Sequence, residues 1–123
     1  MTGTAARTIR KASEISAVRR KGRRCGEGRV VVYVLPSEDG MRVGFVSSRS
    51  VGGAVARNRA RRLLREAWRE VAPRLRGNYD VLAMARSNIR GAKMQDVKTD
   101  LERALGAAGL LEPEAFDVGP AQR

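Results

Sequence analysis

From Ala56 to Val71 the chain can bury only one face. Wound as a helix, Ala56, Ala60, Leu63, Leu64, Ala67, Trp68 and Val71 fall on one side, at the i, i+3, i+4, i+7 spacing of a buried stripe. Asn58, Arg61, Arg62, Arg65 and Arg69 fall on the other. Arg57, Arg61, Arg65 and Arg69 make an unbroken i,i+4 ladder, opposed only by Glu66 and Glu70 from the flank. Like charges at that spacing destabilise a helix by about 0.2–0.5 kcal/mol per pair. A fold built around this helix must cover the apolar stripe and leave the arginines outside, where a polyanion would supply the counter-charge. A merely solvated basic face is the competing interpretation.

The flanking sequence supplies elements that could cover the stripe. Residues 1–8 read as a flexible basic arm. A short helix is predicted from Ile9 to about Lys21, with Ile15 and Val18 on one face and Gly22 as its stop. The run Arg23-Arg24-Cys25-Gly26-Glu27-Gly28 reads as a loop. Arg29 to Leu35 is β-branched and aromatic, hence a strand, and its unbroken apolarity means that both faces are covered. Pro36 to Gly40 has the composition of a hairpin turn, making Arg42 to Ser48 the antiparallel return strand.

Gly52-Gly53 breaks the chain before the basic helix, which stops at Pro73. Tyr79 to Ala85 reads as a third strand. A last helix from about Lys93 to Ala108 would bury Met94, Val97, Leu101, Ala104 and Leu105 and end at Gly109. Residues 111–123, with two prolines, are expected to form a disordered tail. The order α-β-β-α-β-α describes one α+β domain over residues 9–110, an α-β sandwich with helices on a small mixed sheet.

Charge narrows the function. The chain has 123 residues and a net charge of +12, and the charge is localised. Residues 1–30 hold nine Lys/Arg against Glu14 and Glu27, and residues 42–76 hold ten against Glu66 and Glu70, while the remainder is net acidic. Two basic segments are the footprint of a nucleic-acid partner rather than a general solubility device. Only four of the 25 cations are lysine; arginine's planar fork suits phosphate contact and base stacking, and genomic base composition would produce the same bias.

Catalytic and metal chemistry find little support. Histidine is absent and Cys25 is alone, which excludes an internal disulfide, a cysteine-based zinc site and histidine triads. Ser47, Ser48 and Ser50 have no base to activate them. Gly52-Gly53-Ala54 lacks the Gly-Lys-Ser/Thr ending of a nucleotide-binding loop. Glu38-Asp39 lie in a turn, and Asp96 and Asp100 are placed on an exposed helix face where solvation accounts for them. No signal peptide or membrane span is visible, so a cytoplasmic protein without a membrane partner is expected.

The central block resembles the protein subunits of bacterial ribonuclease P. The resemblance is carried by the strand Arg42-Val43-Gly44-Phe45, the turn Ser48-Arg49-Ser50, the step Gly53-Ala54-Val55, and Arg57-Asn58-Arg59 leading into Arg62-Leu63-Leu64-Arg65-Glu66. Ile9-Arg10-Lys11, Val32 to Leu35 and Tyr79 to Arg86 extend it over roughly residues 9–110.

The resemblance implies that the catalyst is an RNA, that magnesium is bound mainly by that RNA, and that the protein helps it remove the 5′ leader of precursor tRNA. The protein alone would be inactive, and no obligate protein partner is implied. It further implies that Arg57, Asn58, Arg59, Arg61, Arg62, Arg65 and Arg69 contact the catalytic RNA. A cleft formed by Ile15, Arg19 and Tyr33, with Ser48 and Arg49 at its rim, would take the leader. It also implies a left-handed β-α-β crossover through the basic helix, of a kind shared with a ribosomal-protein domain.

Two departures stand out: Ile15 and Arg19 replace aromatics that the family presents to the leader, and the turn carries one cation fewer. Tyr33 can equally be a core strand aromatic, Asn58 a helix cap, and Trp68 belongs to the buried stripe. The rival functions are a structural RNA-binding protein of ribosomal type, a helix-turn-helix DNA binder, and an autonomous nuclease. A strand directly before the basic helix disfavours the second of these, and the residue inventory disfavours the third.

Overall fold

The computed structural model describes residues 7–111. Residues 1–6 of the expected arm and 112–123 of the expected tail lie outside the described residues. Five strands form one sheet in the order β1-β4-β5-β3-β2: β1 is Arg7–Thr8, β2 Arg23–Cys25, β3 Val30–Pro36, β4 Arg42–Ser47 and β5 Tyr79–Ala85. Three helices complete the domain, α1 over Ala12–Lys21, α2 over Ala54–Val71 and α3 over Met94–Ala108. All six elements expected from the sequence are present, and the two short strands β1 and β2 are additional.

The pairing corrects the expected hairpin. β3 and β4 run in opposite directions but never meet, because β5 lies between them, antiparallel to β3 and parallel to β4. In that central place Val81, Leu82 and Ala83 are completely buried on both faces of the sheet, as are Val30, Val31 and Val32 of the neighbouring β3. The Pro36–Gly40 connection therefore spans two inter-strand spacings, about 10 Å. The Ser37 N–H fastens it to the Asn78 carbonyl at 3.0 Å. Turn composition specifies a reversal of direction and says nothing about which strand lies alongside.

The other corrections are local. Arg7 and Thr8, expected in the arm, pair in parallel with Arg42 and Val43. Arg23 to Cys25, expected in a loop, pairs antiparallel with Val34 to Val32. Charge on a short edge strand is a common guard against unwanted pairing and gives the sequence a loop-like look.

Helices cover the two faces unequally. Val30, Val32, Val34, Val43, Val81, Ala83 and Ala85 meet α2 and α3 in the main core. The stripe of α2 supplies Ala60, Leu64, Ala67, Trp68 and Val71, with Ala56 and Leu63 partly covered. On the opposite face the ten-residue α1 makes a smaller cluster of Ile9, Val18 and Leu82, with Ile15, Tyr33, Leu35 and Val46 at its margin. One short helix cannot roof the whole face, and the uncovered part becomes a groove.

Two buried carboxylates tie the layers together. Asp80 takes two hydrogen bonds from Arg42, each 2.8 Å, and Arg42 reaches on to Glu14 of α1 at 3.3 Å. The bonds to Asp80 first, then the contact with Glu14, raise the Arg42 pKa above its ordinary value, so this guanidinium stays charged at any working pH. Asp100, expected on an exposed face, is buried and accepts both the backbone N–H and the guanidinium of Arg29 at 2.9 Å. Asp96 accepts the Lys93 N–H at 3.0 Å and so caps α3.

Candidate nucleic-acid interface

β4 leads straight into the basic helix through a tight turn. Ser48 caps the single turn of 3-10 helix over Arg49–Val51: its hydroxyl accepts the Ser50 N–H at 3.3 Å and lies 2.8 Å from the Ser50 hydroxyl. This leaves Arg49 exposed. Gly52 follows with φ 141°, where a side chain would be strained and its Cβ would lie 2.9 Å from the Arg90 guanidinium. Gly53 is the N-cap of α2. Asn58 is therefore inside the helix rather than capping it, and its Oδ1 accepts a hydrogen bond from Arg61.

The arginines of α2 part to two sides. Arg57, Asn58 and Arg61 wall a trough of about 560 Å³ against Phe45, Val46, Ser47 and Arg49. Farther along, Arg65 and Arg69 line a smaller hollow of about 250 Å³ with Thr8, Val43, Phe45, Trp68 and Ala72. Arg65 Cζ lies 5.7 Å from the centre of the Phe45 ring. Arg62 is exposed on the outer face. Arg59 turns away toward the segment after β5 and donates to the Ala92 carbonyl at 3.3 Å, near Arg90, which donates to Val51 at 3.2 Å. Glu70 is drawn off by Lys98 of α3 at 3.2 Å, so one of the two acids flanking the ladder faces away from the trough.

On the opposite face, the strip left bare by α1 is a groove of about 410 Å³. Ile15 and Arg19 form its α1 wall, Val46, Leu82 and Met84 its floor, and Ser47, Ser48 and Arg49 its rim. Four of the five residues expected in the leader cleft thus line one groove. Tyr33 stands one strand away, opposite Leu82 and half-buried in the cluster under α1. Val46, Ser47 and Arg49 line both this groove and the larger trough, so the two are neighbours across the end of β4.

Sequence reasoning passed over Phe45, Met84 and Arg90. Strand alternation puts Phe45 on the α2 side with Val43, a signal that was readable. Met84 and Arg90 depend on which strand and loop lie adjacent, which no local pattern reveals. Among the described residues, no three His, Cys, Asp or Glu side chains gather where they could hold a metal ion. No helix among them is long and apolar enough to cross a membrane.

The family profile described as Ribonuclease P matches residues 4–109. The chain is 39% identical over 107 residues to the ribonuclease P protein component of Shouchella clausii, covering 85% of this chain and 88% of that one. It is 38% identical over 118 residues to the protein component of Chloroflexus aggregans, covering 94% and 87%. Among solved structures, the RNase P protein of Staphylococcus aureus superposes with a TM-score of 0.76 at 25% identity, over 87% of this chain and 99% of that one. The RNase P protein of Thermotoga maritima shares the fold, with a TM-score of 0.67 at 21% identity over 77% and 91%.

Proposed function

The chain belongs to the ribonuclease P protein family, as the tRNA-processing, RNA-binding subunit of a ribonucleoprotein endonuclease, and on that premise we propose that its two basic grooves divide the RNA between them. The trough between α2 and β4 takes the catalytic RNA through Arg57, Asn58 and Arg61, and the adjoining smaller hollow continues the path through Arg65 and Arg69. The groove beside α1 takes the single-stranded 5′ leader of precursor tRNA, through Ile15 and Arg19 on its wall and Ser48 and Arg49 at its rim. Arg59 and Arg62 extend the positive surface on the outer side of α2, and Tyr33 supports α1 from beneath.

The single observation that carries this reading is that both grooves share Val46, Ser47 and Arg49. An RNA held in one and a substrate strand held in the other would meet at the end of β4, as an assembly that aligns a substrate on a ribozyme requires. Among the described residues no aromatic lines the leader groove, so binding there rests on charge and guanidinium stacking rather than on stacked rings.

The chemistry in this reading belongs to the RNA. Magnesium, which would activate the water and stabilise phosphoryl charge, is held by the RNA. The described residues offer it no set of three acidic or thiol donors. The protein's part is to neutralise phosphates and fix the leader.

Cleavage of a precursor tRNA by the cognate ribonuclease P RNA at low magnesium, with and without this protein, tests the assignment. Restored cleavage at the mature 5′ end, absent with protein alone, is the expected result. No restoration would leave an RNA-binding protein without a part in processing.

A further inference from the structure

Phe45 sits where a core strand residue would not need to be. It is only partly buried, and it forms wall in both hollows along α2, the larger with Arg57, Asn58 and Arg61 and the smaller with Arg65, Arg69 and Thr8. Its ring is held edge-on to the buried Trp68, with centroids 6.1 Å apart and planes at 80°. Arg65 stands over that ring at 5.7 Å and is itself exposed. A phosphate contact alone asks only for charge. An aromatic ring beneath the guanidinium adds a cation–π attraction that restrains this long side chain and keeps its flat group beside the trough.

We propose that Arg65, backed by Phe45 and Trp68, is a stacking platform for an unpaired nucleobase of the RNA that lies along α2. Arg61 and Arg69 stand one helical turn to either side, a rise of about 6 Å each way, and take the flanking phosphates. The hollows on both sides of Phe45 give the strand room to enter and leave. This inference rests on the reading that the catalytic RNA occupies the α2 trough.

The test separates plane from charge. The cognate ribonuclease P RNA is titrated with the wild type, Arg65→Lys, Phe45→Leu and the double variant Arg57→Ala/Arg61→Ala at several salt concentrations. Lysine keeps the charge and loses the plane. Arg65→Lys and Phe45→Leu are each expected to weaken binding about tenfold, within the range of one base stack, with the salt slope unchanged. The double variant is expected to bind more weakly with a flatter slope, because phosphate contacts are lost.

If the double variant behaves so while Arg65→Lys or Phe45→Leu binds like the wild type, the platform is discarded and the trough assignment stands. A flattened slope for Arg65→Lys also overturns the platform, since it would make Arg65 a phosphate contact. A wild-type slope for the double variant discards the trough assignment itself. Thermal melting checks that Phe45→Leu folds, and Arg65→Lys, at an exposed position, decides the matter alone if it does not.

Discussion

Ile15 stands in the wall of the groove proposed for the leader, where a phenyl ring in its place would line the same cavity. Base–aromatic stacking contributes about 1–3 kcal/mol per base. Ile15→Phe should therefore tighten precursor tRNA binding by the holoenzyme by about fivefold or more, and leave binding of mature tRNA, which has no leader, unchanged. Equal affinities of variant and wild type for the precursor would show that the leader does not pass Ile15. Asp100 works at the same scale but for stability. Asp100→Ala removes the acceptor that the Arg29 backbone N–H now meets at 2.9 Å, while the partly exposed guanidinium can turn to water. A buried group left unsatisfied costs about 1–3 kcal/mol, so the urea midpoint should fall by that equivalent while affinity for the catalytic RNA is kept. Asp100 also shows where residue-level reading stops. A carboxylate is expected on a solvated face by its chemistry, yet the helical period sets Asp100 at the edge of the stripe beside Val97 and Ala104, where the Arg29 N–H needs an acceptor.

At the scale of elements, the basic helix was legible in full. Its stripe fixes which side is covered, and Gly52-Gly53 and Pro73 bracket it, so the observed span Ala54–Val71 agrees with the reading. α3 was legible for the same reason, a periodic stripe stopped by Gly109, and β5 as a short apolar run set off by Gly77-Asn78. The neighbour of β3 was not, because β3 and β5 are equally apolar on both faces, and the parallel pairing of β4 with β5 is a long-range contact made only after α2 has crossed over. What the pairing creates is the Arg42–Asp80–Glu14 chain, which fastens α1 to two strands distant in sequence. Arg42→Met leaves Asp80 without its cation, and losing one partner of a largely buried pair costs about 3 kcal/mol. The variant should melt earlier. Amides of α1 should exchange faster than those of α2, and precursor tRNA should lose its advantage over mature tRNA before affinity for the catalytic RNA changes. Uniform loosening of both helices would mean that Arg42 stabilises the whole domain without setting the groove.

Across the whole molecule, the net charge of +12 is distributed so that the trough and the leader groove meet at one strand end. Charge runs in the sequence announced two basic segments, but their convergence needed the sheet order, since α1 and α2 sit on opposite faces. Three single substitutions separate the consequences. Arg61→Ala touches only the trough, so it should weaken binding of the catalytic RNA and reduce the log–log salt slope by about 0.7–0.9, the contribution of one phosphate. It should leave the preference for precursor over mature tRNA intact. Arg19→Ala touches only the leader groove, so it should erode that preference and leave the salt slope of the catalytic RNA unchanged. Arg49 lines both the trough and the leader groove and is exposed. Arg49→Ala should therefore reduce both quantities, and its effect on the preference should be less than additive with that of Arg19→Ala, because neighbouring sites couple. Filter binding of the RNA over a salt series, with paired titrations of precursor and mature tRNA, measures all three. If Arg49→Ala moves one quantity alone, the two RNAs do not meet at the end of β4, and the grooves work as independent sites.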